Sequence, residues 1–121
     1  MIADSRTSVA FTGHRTYRGT AADALRRTVG ELYARGFRNF LSGMAVGFDL
    51  AAAEAVLELR ERAPGVRLVA AVPFRGQEMR FSPADRERFR RVLAEADSVE
   101  VLAPAYHRGC YAVRNDFLVD N

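Results

Sequence analysis

A short apolar run, Arg38 to Leu41, passes into Ser42-Gly43-Met44-Ala45-Val46-Gly47-Phe48-Asp49 and then directly into the alanine-rich segment Leu50 to Leu59. No other feature constrains the fold of this chain as tightly. A strand that turns on glycines into a helix is half of a βαβ unit, and such units build parallel sheets with helices packed against them. The same turn presents backbone N–H groups at the positive end of a helix dipole. That arrangement is an anion cradle, and phosphate is its usual occupant.

The rest of the chain repeats the pattern. Ser8 to Thr12 reads as a short buried strand stopped by Gly13, and Thr20 is placed to cap a helix carrying Leu25, Val29, Leu32 and Tyr33 at helical spacing. Gly36 closes that helix. Asp49 begins the second helix, whose apolar face is Leu50, Ala53, Val56 and Leu57 and which ends at Pro64-Gly65. Val66 to Val72 is unbroken and rich in β-branched residues, as expected of a strand covered on both faces, and Pro73 stops it. Ser82-Pro83-Ala84-Asp85 combines a capping serine, proline at the first helical position and a returning acid. Phe89, Val92, Leu93 and Ala96 form the stripe of this third helix. Ser98 to Leu102 is a fourth strand, followed by a loop from Ala103 to Cys110 and a helix from about Ala112.

Four strand–helix units with short connections predict an α/β fold: one domain over residues 1–121, a parallel sheet of four strands, and helices on both faces. No fifth strand follows the last helix before Asn121, so the sheet is read as lacking its final strand or strands. An outer strand left in this way tends to pair, which predicts a homo-oligomer.

Composition narrows the chemistry. The 18 basic residues are all arginine, so Schiff-base chemistry and a Walker-type phosphate lysine are both excluded. Every cation is a planar fork suited to phosphate or carboxylate. A net charge of +3 fits an anionic ligand and only weakly favours nucleic acid. The single cysteine, Cys110, excludes an internal disulfide framework and suits a reducing, cytoplasmic setting. The longest apolar run, Leu68 to Phe74, is far short of a membrane span, and the first residues lack a signal-peptide pattern. Two histidines and one cysteine are scattered without metal-ligand spacing, so no metal site is expected.

In open parallel sheets ligands bind beyond the carboxyl ends of the strands. Four segments fall there. In Thr12-Gly13-His14-Arg15, Gly13 allows a tight turn while His14 and Arg15 reach toward a phosphate or ribose. In the opening turn, Gly43 and Gly47 remove side chains where a ligand approaches, with Met44 and Ala45 between them, and Ser42 offers a hydroxyl. Asp49 either caps the helix or binds a ribose hydroxyl. In Pro73-Phe74-Arg75-Gly76-Gln77-Glu78, Phe74 can stack on a base, Gln77 can read its edge, and Glu78 is the best-placed carboxylate for acid–base work. Arg75 reads as an ordinary surface charge. The arginine-rich run Arg80 to Arg91 reads as a solvated helix face with i,i+4 pairing. The fourth segment holds His107, Cys110, Tyr111, Arg114 and Asn115, with Cys110 better read as a small buried hydrophobe than as a nucleophile.

Taken together, Thr12-Gly13-His14-Arg15, Ser42 to Asp49 with Ala52-Ala53-Glu54, Pro73-Phe74 with Gln77-Glu78, and Tyr111 through Arg114-Asn115 to Asn121 resemble the YpsA-like family of the SLOG superfamily. The likeness runs in order over nearly the whole chain. The Ser42 to Asp49 turn also looks like its counterpart in the DNA-processing protein A group. The resemblance implies a Rossmann-like three-layer sandwich that binds a nucleotide or nucleotide-derived ligand such as ADP-ribose, NAD or AMP. It also implies a further strand and a Gly-Gly-Thr turn, which this sequence does not contain. The related cytokinin-activating phosphoribohydrolases use that later region for catalysis, so their activity is not carried over. A nucleotide-binding module is the leading expectation. Hydrolysis of an N-glycosidic bond, assisted by Glu78 or Asp49, is the enzymatic alternative, and single-stranded DNA binding is a third reading.

Overall fold

The computed structural model describes residues 8–11, 22–45, 47–106, 108–109, 113–114 and 117. Its elements follow the order β1 (Ser8–Phe11), α1 (Ala22–Ala34), β2 (Asn39–Ser42), α2 (Phe48–Arg60), β3 (Arg67–Val72), a 3-10 turn (Gln77–Arg80), α3 (Pro83–Glu95) and β4 (Ser98–Val101). The strands form one parallel sheet in the order β1-β2-β3-β4. Phe11 lies opposite Ser42, Ser42 opposite Ala70, and Val72 opposite Val101, so all four strands end along one edge.

Alternation along the strands divides the core in two. Phe11, Phe40, Leu68, Ala70 and Val72 face α1, α2 and α3 and join Leu25, Val29, Leu50, Ala53, Val56, Phe89 and Val92 in the main core. Leu41, Val69 and Ala71 point the other way, and Phe117 packs against them. Residues 113, 114 and 117 are helical, so the second face is covered by the segment after β4. Helices on both faces make this the expected three-layer sandwich.

Local signals set the boundaries. α1 ends in a Schellman motif: Gly36 takes φ 104°, its N–H donates to Tyr33 O at 3.0 Å, and Phe37 N–H donates to Leu32 O at 3.0 Å. Ser82 Oγ accepts the Asp85 N–H at 3.2 Å with Pro83 following it, a cap that contributes about 1 kcal/mol. β3 is buried on both faces from Leu68 to Val72. Thr20, the expected cap of α1, lies outside the described residues.

The arginine-rich helix departs from expectation. Arg91 and Glu87 form an i,i+4 pair, but Arg88 bridges to Glu54 on α2 at 2.6 Å as well as to Asp85 at 3.0 Å. Its hydrogen bond to Glu54 raises the Arg88 pKa further above its already high ordinary value. Arg26 joins α1 to Glu58 on α2, and Arg60 joins α2 to Asp97. Arg26, Arg60 and Arg88 therefore work between elements, where a planar fork spans helices that pack about 8–10 Å apart. No described helix is long and apolar enough to cross a membrane.

Candidate functional site

The common carboxyl edge of the strands is where the expected site residues converge. After β2 the backbone enters an unusual path. Met44 is fully buried in the left-handed region at φ 62°, a conformation that costs a residue with a Cβ on the order of 1 kcal/mol. Gly47 follows at φ 94° and ψ −119°, which glycine alone adopts readily, and stands at the N-cap of α2. It has no side chain with which to cap the helix.

Polar bonds within the turn hold this path. Ser42 Oγ donates to Asp49 O at 3.0 Å and accepts the Met44 N–H at 3.2 Å. Asp49 is 1% exposed, and its Oδ2 accepts the Ala45 N–H at 3.3 Å. Asp49 thus reaches back across the turn rather than capping the first helical turn. Both Ser42 and Asp49 bond back onto the loop.

Gly43 lies at the centre of this arrangement. A Cβ there would fall 2.8 Å from Asp49 Oδ2, 3.0 Å from Arg114 Cδ and 3.1 Å from Arg114 Nε. The space that glycine leaves is filled by the protein's own side chains, so its absent side chain serves packing of the turn rather than approach of a ligand at that point. Arg114 is 8% exposed and donates through Nη1 to Gly43 O at 3.0 Å. A residue beyond the last strand therefore clamps the first turn of the second unit.

That clamp has a topological meaning. α1, α2 and α3 cover one face as the chain steps outward from β1 to β4, whereas the segment bearing Arg114 and Phe117 covers the other. With right-handed crossovers, a connection over the opposite face runs back toward β1. The strand order itself shows no reversal among β1 to β4; the described residues after β4 lie against β2 and β3, with Arg114 at the turn after β2. Gly13, His14 and Arg15 follow β1 in sequence and lie outside the described residues, as does Asn115.

The segment after β3 forms the other half of the edge. Pro73 and Phe74 are buried, and Phe74 packs on Ala103 and meets the ring of Tyr106 edge-on at 5.4 Å. Burial takes Phe74 out of reach of a stacked base. Glu78 forms an ion pair with Arg90 at 3.8 Å, which turns its carboxylate toward α3. Gln77 is 3% exposed, and its Oε1 is the one buried side-chain polar atom among the described residues that accepts no hydrogen bond. An unsatisfied buried amide costs about 1–3 kcal/mol. Gln77→Leu is therefore expected to stabilise the protein by about 1 kcal/mol, seen as a higher urea midpoint; a lowered midpoint would show that the amide is satisfied in solution.

Sequence reasoning missed two contributors here, Tyr106 and Arg80. The Arg80 guanidinium lies 4.6 Å from the Tyr106 ring centre and 5.5 Å from that of Phe74. An exposed aromatic five residues after a strand is a signal that could have been read. The cation over it belongs to a different loop and has no local signature.

A separate groove of about 250 Å³ lies between the C-terminal halves of α2 and α3, lined by Glu54, Glu58, Glu61, Glu95 and Arg91 among others. It sits toward the amino edge of the sheet, and its acidic lining disfavours phosphate. Among the described residues no cluster of three or more His, Cys, Asp or Glu side chains is gathered to hold a metal ion.

The family model YpsA, described as the YspA SLOG family, matches residues 9–121. The chain belongs to this family. Among its relatives, UPF0398 protein ABC2016 of Shouchella clausii is 42% identical over 77 residues, covering 61% of this chain and 41% of that protein. UPF0398 protein BH1768 of Halalkalibacterium halodurans is 30% identical over 98 residues, covering 79% of this chain and 52% of that protein. A UPF0398 protein of Bacillus pumilus is 33% identical over 76 residues, with 63% and 41% covered. The chain thus spans about half the length of the curated relatives it matches. The matched region of this SLOG family member includes the β2–α2 turn and the segment of Arg114.

Proposed function

We propose that this SLOG family member is a nucleotide-binding module for a ligand of the ADP-ribose, NAD or AMP type, with the phosphates seated over the β2–α2 turn. The observation that carries this reading is the construction of that turn. A left-handed Met44 and a glycine N-cap aim the N-terminus of α2 at the carboxyl edge of a parallel sheet, and Ser42, Asp49 and Arg114 hold it there. Strain kept in place by several buried polar bonds is characteristic of a preorganised binding loop. The two carboxylates available for hydrolysis are engaged otherwise, Asp49 in the turn and Glu78 with Arg90. A binding role therefore has more support than a hydrolytic one.

Isothermal titration of the protein with AMP, ADP-ribose and NAD tests the reading. Saturable heat with at least one of them is expected; no binding of any of the three would remove it. The exposed valines of β4, Val99 and Val101, also favour self-association along that strand. Light scattering that shows only monomer at micromolar concentration would contradict this part.

A further inference from the structure

We infer that Tyr106 and Arg80 form the platform on which the base of the bound nucleotide stacks, an inference that rests on the nucleotide-binding reading above. Three observations converge on it. Tyr106 is 50% exposed although it is a large aromatic, and it lies on the loop just beyond β4, on the same edge as the β2–α2 turn. Its position is built rather than incidental. Leu102 N–H donates to Val72 O at 2.9 Å, Arg75 N–H donates to Ala103 O at 3.0 Å, and Phe74 buttresses the ring edge-on. The Arg80 guanidinium lies over the same ring, adding a second flat, cationic surface.

The spacing suits one ligand. β4 is two strands from β2, and neighbouring strands lie about 4.8 Å apart, so the strand ends that carry the Tyr106 loop and the phosphate turn are roughly 10 Å apart along the edge. That is the scale of a mononucleotide extended from phosphate to base. An aromatic ring with an arginine over it accepts any flat π-system, and base stacking of this kind tolerates different bases. Phe74, the aromatic first expected to stack, acts here from beneath as the support for Tyr106.

The test compares AMP with ribose 5-phosphate, which keeps the sugar and phosphate and lacks the base. Wild-type protein is expected to bind AMP more tightly. Tyr106→Ala is expected to weaken AMP about tenfold and to leave ribose 5-phosphate within about twofold, while Tyr106→Phe retains AMP affinity. Equal binding of the two ligands by wild type would overturn the platform, and so would loss of both together in Tyr106→Ala. Either result leaves the phosphate turn standing. If neither ligand binds, the platform falls, and the nucleotide reading falls with it only when ADP-ribose and NAD also fail to bind.

Discussion

Gly43→Ala is expected to lower stability by about 3 kcal/mol, a fall in Tm of roughly 10 °C for a chain of this size. The added methyl would lie 2.8 Å from Asp49 Oδ2 and 3.0 Å from Arg114 Cδ. Neither neighbour can yield cheaply. Moving Asp49 releases the Ala45 N–H, and moving Arg114 releases Gly43 O. Gly43 is not among the residues with positive φ, so the penalty is steric rather than conformational. Gly30→Ala is the informative control, because a Cβ at Gly30 meets nothing within 4 Å. Within α1 that change is expected to stabilise by about 0.5–1 kcal/mol. Thermal unfolding followed by circular dichroism measures both. Equal Tm values for the two variants would mean that Asp49 and Arg114 do not converge on Gly43.

Arg114→Met carries the second large effect. Methionine preserves most of the buried aliphatic stem and removes the charged donor to Gly43 O. A hydrogen bond from a charged group contributes about 1.5–3 kcal/mol, and the carbonyl it leaves behind is buried. A loss of about 2–3 kcal/mol is therefore expected in the urea unfolding free energy. The loss has a local component too. Gly43 and Arg114 are 71 residues apart, so their bond ties the segment after β4 to the turn after β2. Amide exchange at residues 43–49 should accelerate in Arg114→Met more than exchange in β3, which is buried on both faces. Combining Arg114→Met with Asp49→Asn should give less than the sum of the two losses, because both side chains bear on one glycine. Strict additivity, with unchanged exchange in the turn, would show that the clamp carries no energy.

These expectations rest on contacts that local sequence signals do not encode. The strand–helix alternation was legible because each element announces itself within a few residues: Gly36 in its left-handed cap, Ser82 before Pro83, and the unbroken run into β3 ended by Pro73. The Ser42 to Asp49 turn was legible for the same reason. What Gly43 is for was not. Its neighbours are Asp49, six residues on, and Arg114 from beyond the last strand, and no periodicity links them. The segment after β3 shows the same limit. Its aromatic and amide residues stood out, yet burial turns Phe74 into a support and leaves Tyr106 as the exposed ring. The arginine run on α3 looked like local pairing, because the Glu54 partner of Arg88 lies on a different helix. Element identity is local chemistry here, and the division of labour within the site is set by tertiary contacts.

A chain of 121 residues is well suited to residue-by-residue observation of its backbone amides. Titration of the ¹⁵N-labelled protein with AMP tests the central claim most directly. If the β2–α2 turn seats the phosphate, the largest shifts fall on the amides of Gly47, Phe48 and Asp49 at the start of α2. Shifts confined to the groove between α2 and α3, at Glu58 and Arg91, with the turn amides unmoved, would contradict the account.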